Sequence, residues 1–190
     1  MNIQDFLTTN KSKNNRFFTI AIDGRGGSGK SVFAELLKTK LPNFVVLNGD
    51  DYFEPLDDPI VFGAFNDERL IRDIINPLKT KNGFTYRPYD WNTKQISKQK
   101  VDVTKGFCLE RCYSFKFDLD WDLRIWVETP KEVCLHRGLA RDGRDAAKAW
   151  HFWQQQEDEY IRNFKPEEKA DIIINGTKPF EEQLERIAKL

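Results

Sequence analysis

Residues 17–22 (FFTIAI) are an unbroken apolar run, and a glycine-rich segment follows at once. A continuous run of this kind reads as a strand buried on both faces. The segment Gly24-Arg25-Gly26-Gly27-Ser28-Gly29-Lys30-Ser31 matches G-x-x-x-x-G-K-[ST]. Val32, Phe33, Leu36, Leu37 and Leu41 then recur at helical spacing, up to Pro42. Strand, loop and helix in that order constrain this chain more than any other feature. Glycines let a backbone curl so that its N–H groups point at one anion, and the helix N-terminus adds its dipole. The pattern predicts a nucleotide-phosphate site. Gly24, Gly26, Gly27, Ser28 and Gly29 cradle the phosphates, Lys30 reaches the β/γ-phosphates as a point charge, and the Ser31 hydroxyl ligates Mg²⁺. Gly24-x-Gly26-x-x-Gly29 also fits a dinucleotide fingerprint, with Asp50 downstream for a ribose contact, but that motif does not call for Lys30-Ser31.

Further strands are expected at 44–47 (FVVL), 106–109, 123–127 (LRIWV) and 172–174. Helical stripes lie between and after them: Leu70, Ile71, Ile74, Ile75 and Leu78; a helix started by Thr129-Pro130; another running to about Phe164; and Phe180, Leu184 and Ile187. Strands alternating with helices predict a three-layer α/β/α fold around a central parallel sheet. Residues 83–104, polar and aromatic with some alternation, read as a β-hairpin excursion. The chain of 190 residues suits one domain, with 1–16 as a polar leader segment that lacks the apolar stretch of a secretory signal.

Thirty basic and thirty acidic side chains give a formal net charge of zero, which makes the whole-protein electrostatic case for nucleic acid or an anionic membrane weak, so neither is expected as a partner. No apolar run approaches the ~20 residues of a membrane helix. Three cysteines, Cys108, Cys112 and Cys134, are an odd number in a domain that needs no staples, which points to a reducing, cytoplasmic setting. Cys108 and Cys112 lack the second pair that a zinc site requires.

Several later residues are candidates for chemistry, each with a plainer alternative. Asp50 and Asp51 follow the second strand, where a carboxylate serves as a general base or simply caps a turn. Tyr52 and Phe53 after it are either substrate contacts or core. Glu110 closes the third strand, as a metal-facing acid or a surface glutamate. Tyr89 and Asp90, in YRPYDW (86–91), suit a ring to stack and a carboxylate to hold hydroxyls, or an aromatic hairpin packed on the core. Asn66 fits a helix N-cap as well as a substrate contact. Arg137, Arg141 and Arg144 share a helical face, with Gly138 and Gly143 to supply mobility; they read as a closing lid over 137–150 or as a solvated charged helix. His136 and His151 have neither metal spacing nor a nucleophilic partner.

Five segments together resemble the uridine kinase and phosphoribulokinase group of P-loop kinases: GRGGSGKS (24–31), GDDYFEP (49–55), YRPYDW (86–91), FCLERCYS (107–114) and RGLARDGRD (137–145). The tail, W-x6-E-x2-Y and then ADIIING (170–176), is also similar, so the likeness runs from about Phe17 to Leu190. It implies a P-loop NTPase-type fold and an ATP- and Mg²⁺-dependent phosphotransferase acting on an alcohol, first of all a nucleoside 5′-hydroxyl. Pantothenate, nicotinamide riboside or another sugar-like alcohol follow, and a nucleotide-dependent switch or a degenerate kinase is the reading from another class. The resemblance also implies the roles. Asp50 with Lys30, Arg137 and Arg141 is catalytic. Arg144 is on the nucleotide, Ser31 and Glu110 are on the metal, and Asp51, Tyr52, Asn66, Tyr89 and Asp90 are on the acceptor. A small-molecule partner is implied, and a homo-oligomer through 83–104. The family places glycine after the acid at 110, where this chain has Arg111, and a histidine shortly after the aromatic segment, where it has Asn92, Thr93 and Lys94.

Overall fold

A computed structural model of the chain describes residues 17–58, 63–90 and 92–187. The expected leader at 1–16 and Trp91 lie outside the described residues. Five strands form the central sheet: β1 (Phe18–Gly24), β2 (Phe44–Asn48), β9 (Gly106–Glu110), β10 (Leu123–Glu128) and β11 (Ile172–Asn175). Their order is β11-β10-β1-β9-β2, and each neighbouring pair is parallel. Each of the five apolar runs is therefore a sheet strand, with β1 at the centre and buried at all seven positions.

Side chains alternate across a strand, so β1 faces two cores. Ile20 and Ile22 pack with Phe33, Leu37, Ile125, Val127, Phe180 and Leu184. That layer carries α1 (Lys30–Lys40) and α6 (Phe180–Ile187). Ala21 packs on the other side with Leu70, Ile74, Leu78, Phe107, Leu109 and Trp121. There the chain runs helically over 67–80, as an α turn (Asp67–Leu70), a π segment (Ile71–Ile75) and a second α turn (Asn76–Thr80), together α2. The result is the three-layer α/β/α fold of P-loop NTPases.

Beyond α2, β5 (Gly83–Tyr86) pairs antiparallel with β8 (Gln99–Asp102). Inside that pair, β6 (Tyr89–Asp90) meets β7 (Gln95–Ile96). A short ribbon of β3 (Phe53–Pro55) and β4 (Gly63–Phe65) follows β2. The excursion is pinned to α2 by buried Asp73, whose Oδ1 lies 2.6 Å from Arg87 Nη1 and 2.8 Å from Arg72 Nε. Burial alone raises the Asp73 pKa, but the hydrogen bonds from Arg72 and Arg87 outweigh it and hold the carboxyl below its ordinary range.

After β10, α3 (Lys131–Asp142) turns at Gly143 into the long α4 (Ala147–Phe164), followed by the short α5 (Pro166–Lys169). Gly138 does not loosen this region. It is buried inside α3, and a Cβ there falls 2.3 Å from Trp150 Cε2 and Cζ2. Its missing side chain is the space that the Trp150 indole fills. Gly143, at φ +88° with nothing near it, makes the turn.

Two predictions follow from these contacts. Alanine normally stabilises a helix interior by about 1 kcal/mol over glycine. Gly138→Ala is expected instead to lower stability by roughly 1–3 kcal/mol in urea unfolding, because Trp150 must shift; an unchanged or raised midpoint refutes the packing argument. Asp73→Asn is expected to cost about 1–3 kcal/mol at neutral pH. A carboxylate depressed in the fold stabilises above its unfolded pKa and loses that contribution as pH falls through the folded value. The gap between the variant and the parent should therefore narrow only below the ordinary value of 3.8.

Candidate active site

The carboxyl ends of β1, β9 and β2, adjacent in the sheet, open onto one cleft of about 1210 Å³. Gly27 and Gly29 lie in the left-handed region at φ +77° and +104°, and a Cβ on Gly27 would come 2.5 Å from the Cys134 carbonyl oxygen. Glycine is required there for both torsion and space. The loop's far side is tied down as well: Thr129 Oγ1 donates to the Ser28 carbonyl at 2.9 Å.

Lys30 opens α1 and is almost fully buried. Its Nζ donates to the Arg25 carbonyl at 2.8 Å and lies 3.3 Å from Cys112 Sγ. Burial works against its charge, yet the acidic groups around it, Cys112, Glu110, Asp50 and Glu157, hold it above the ordinary lysine range. Glu110 is also buried. Desolvation pushes it up to about 7; Lys30 and a hydrogen bond with Ser31 oppose the rise, and Asp50 adds to it. Ser31, Glu110 and Asp50 are thus within electrostatic reach of each other at one end of the cleft. A hydroxyl and carboxylates alone, with no thiolate or imidazole in the set, match the oxygen preference of Mg²⁺. No group of three or more His, Cys, Asp or Glu side chains that would hold a metal unaided is found among the described residues.

Asp50 and Asp51 diverge. They lie in a 3-10 turn over Gly49–Tyr52, started by Asn48, whose side chain accepts from the Asp50 N–H at 3.0 Å. Asp50 is exposed on the cleft. Asp51 turns away and accepts from the Tyr86 hydroxyl; burial raises its pKa, with Asp50 adding and Tyr86 opposing. Tyr52 is wholly buried, beneath the Arg69 guanidinium at 4.3 Å. Asn66 is the N-cap of α2, accepting from the Arg69 N–H at 2.9 Å and donating to Glu54 at 2.8 Å. Tyr89 and Asp90 line a second, smaller depression with Asp51, separate from the cleft. There the Asp90 carboxylate caps its own turn, accepting from the N–H groups of Asn92 and Thr93.

The three arginines expected to form a lid also part ways. Arg141 lines the cleft and is paired with Asp142 at 2.7 Å. Arg137 donates to carbonyls behind the loop: Gly27 and Ser28 at 3.3 Å and Gly176 at 3.0 Å. Arg144 is exposed in the turn after α3, outside the cleft lining.

Three sets of contacts could not be read from the sequence. Buried Glu157 on α4 accepts from the Gly26 N–H at 2.7 Å, while Arg25 Nη2 lies 2.7 Å from Asp158. Both belong to the stretch W-x6-E-x2-Y, which was the available signal. An aromatic wall lines the same cleft as Asp50: Phe53 meets Phe65 at 5.2 Å and Trp153 at 6.0 Å, and Phe65 meets Tyr113 at 6.3 Å. Arg111 does not lie beside Glu110. Its buried side chain runs along Gly49, reaching over the Phe65 ring at 3.9 Å and to Asp67 at 2.9 Å.

Comparison with known proteins agrees with this arrangement. No protein-family model matches the chain. A uridine kinase of Ureaplasma parvum is 30% identical over 144 residues, which is 65% of this chain and 68% of that protein. A uridine kinase of Borrelia garinii is 25% identical over 177 residues, 82% of this chain and 84% of that one. A Bacillus stearothermophilus structure described as a possible uridine kinase superposes with a TM-score of 0.66 at 19% identity, covering 90% of this chain and 96% of that chain. No helix among the described residues is long and apolar enough to cross a membrane. The phosphate loop at the end of the central strand and the likeness to uridine kinases along most of the chain agree: this is a small-molecule kinase of the uridine kinase and phosphoribulokinase-like group of P-loop kinases.

Proposed function

We propose that the chain transfers the γ-phosphoryl group of ATP to the hydroxyl of an uncharged, nucleoside-like alcohol. The observation that carries this reading is Asp50, the exposed carboxylate on the cleft that Lys30, Ser31 and the aromatic wall also line. The loop and Lys30 hold the nucleotide phosphates. Ser31 and Glu110 would hold Mg²⁺, which would supply positive charge against the transferring phosphoryl group. Asp50 accepts the proton of the acceptor hydroxyl, and Arg141 brings positive charge from the lid side. Positioning and neutralisation account for most of the catalysis in such a site.

The charge on the cleft favours a neutral acceptor. Lys30, Arg111, Lys116 and Arg141 are its cations, and Asp50, Asp67, Glu110, Glu157 and Glu159 are among the carboxylates that outnumber them. A nucleoside monophosphate brings a dianion that this surface does not welcome. Phe53, Phe65, Tyr113 and Trp153 suit a planar base. Asp51, Tyr89 and Asp90 remain assigned to the acceptor side only as a more distant rim. Uridine, other nucleosides and nicotinamide riboside all fit this description, and pantothenate, a carboxylate, fits it less well.

A coupled ADP-release assay with Mg-ATP and a panel of nucleosides, nicotinamide riboside, pantothenate and nucleoside monophosphates tests the reading. Release with a neutral nucleoside is expected, and release with monophosphates alone refutes it. Lys30→Ala should weaken nucleotide binding and abolish turnover. Asp50→Asn should leave ATP affinity within about threefold while lowering kcat by at least ~100-fold; a near-normal kcat removes Asp50 from the mechanism.

A further inference from the structure

Adjacent residues on a helix do not normally face each other. At the end of α3, where Gly143 turns the chain, Arg141 and Asp142 do. Arg141 Nε donates to Asp142 Oδ1 at 2.7 Å, and Nη2 donates to Oδ2 at 3.0 Å. Two parallel bonds of this kind fix the plane of a guanidinium. Asp142 Oδ2 also accepts from the Trp150 Nε1–H at 3.0 Å. The Trp150 indole is buried in the gap left by Gly138, so the carboxylate is anchored to the packed junction of α3 and α4. The hydrogen bond from Arg141, ahead of the effect of burial, holds the Asp142 carboxyl below its ordinary range, so it is charged at neutral pH. A carboxylate in the last turn of a helix opposes the helix dipole, so helix stability does not account for it.

Arg141 itself is open to solvent. Its side chain is 68% exposed, lines the cleft and is within electrostatic reach of Asp50. Asp142 takes Nε and Nη2, and Nη1 has no hydrogen-bond partner among the described residues. An exposed arginine samples many rotamers, and holding it in one geometry before the reaction removes that ordering cost from the transition state. Resting on the kinase reading above, we infer that Asp142 is a positioning residue: held by Trp150, it fixes the Arg141 guanidinium through the two-oxygen pair and presents Nη1 to the transferring phosphoryl group.

The test is a double-mutant cycle in the ADP-release assay. It uses wild type, Asp142→Asn, Arg141→Ala and the double variant, with the neutral nucleoside that wild type turns over fastest. Asparagine keeps the size of the side chain and an oxygen for Trp150 Nε1, but not the two-oxygen pair. Asp142→Asn should lower kcat by ~10-fold, with the KM for ATP within about threefold of wild type and the urea midpoint unchanged. Arg141→Ala should lower kcat by ~100-fold or more. In the Arg141→Ala background, Asp142→Asn should change kcat by less than about twofold, because Asp142 acts only through Arg141. A loss of similar size in both backgrounds makes Asp142 a structural residue and overturns the inference. An unchanged or raised kcat in Asp142→Asn alone also overturns it, since the carboxylate then restrains Arg141 instead of presenting it. So does a near-normal kcat in Arg141→Ala. If asparagine lowers the urea midpoint, the comparison between the two backgrounds decides by the same criterion. Wild type that turns over no acceptor in the panel overturns the kinase reading itself, and the inference falls with it.

Discussion

One buried carboxylate holds the active end of this protein together. Asp23, the penultimate residue of β1, has no solvent exposure. It accepts from the Gly24 N–H at 2.7 Å, the Tyr113 N–H at 2.9 Å, the Phe115 N–H at 3.2 Å and the Tyr160 hydroxyl at 2.7 Å. Burial raises its pKa against these hydrogen bonds. Such a group is tolerated in a core only when its acceptor capacity is filled. The four donors come from the start of the phosphate loop, the exit of β9 and helix α4. One side chain therefore sets how three separate segments meet, and the cleft lies between them.

The consequences spread from α4. Glu157, one turn before Tyr160, reaches the Gly26 N–H, and Arg25 returns the contact through Asp158. The phosphate loop is thus ordered from α4 as well as by β1 and α1. The same helix carries Trp150, which inserts where Gly138 leaves room, and Trp153, which completes the aromatic wall with Phe53. α3, the phosphate loop and the aromatic wall are one packed unit, so a change in the fit of α3 against α4 reaches the cleft through contacts a few ångströms long.

The fold was legible because buried parallel strands need unbroken apolar runs, and all five such runs are strands of the central sheet. The phosphate loop was legible because a backbone that wraps an anion requires glycine at particular places, Gly27 and Gly29 above all. Ser31, Asp50 and Glu110 could be paired from sequence only through a family resemblance. In space they meet because their strands end side by side in the order β1-β9-β2. Spacing alone could not choose between Asp50 and Asp51; only the family resemblance favoured Asp50. The turn that follows Asn48 sends the two in opposite directions, and nothing in the pair of letters records that. Arg137 and Arg141 share a helical face in the sequence, yet one reaches carbonyls behind the loop and the other lines the cleft. Gly138 looked like a point of mobility but proved to be a space for an indole.

By itself, then, the sequence determined the local matters: which segments are strands, and where glycines let the backbone wrap a phosphate. These depend on neighbouring residues and on periodicity, which a linear text preserves. Tertiary structure alone decided that Asp51 turns to Tyr86, that Arg111 turns from Glu110 toward Asp67 and Phe65, and that Tyr89 and Asp90 lie apart from Asp50. Those outcomes depend on contacts between residues far apart in the chain, such as Arg111 with Asp67 or Gly26 with Glu157, and on burial that no single residue specifies.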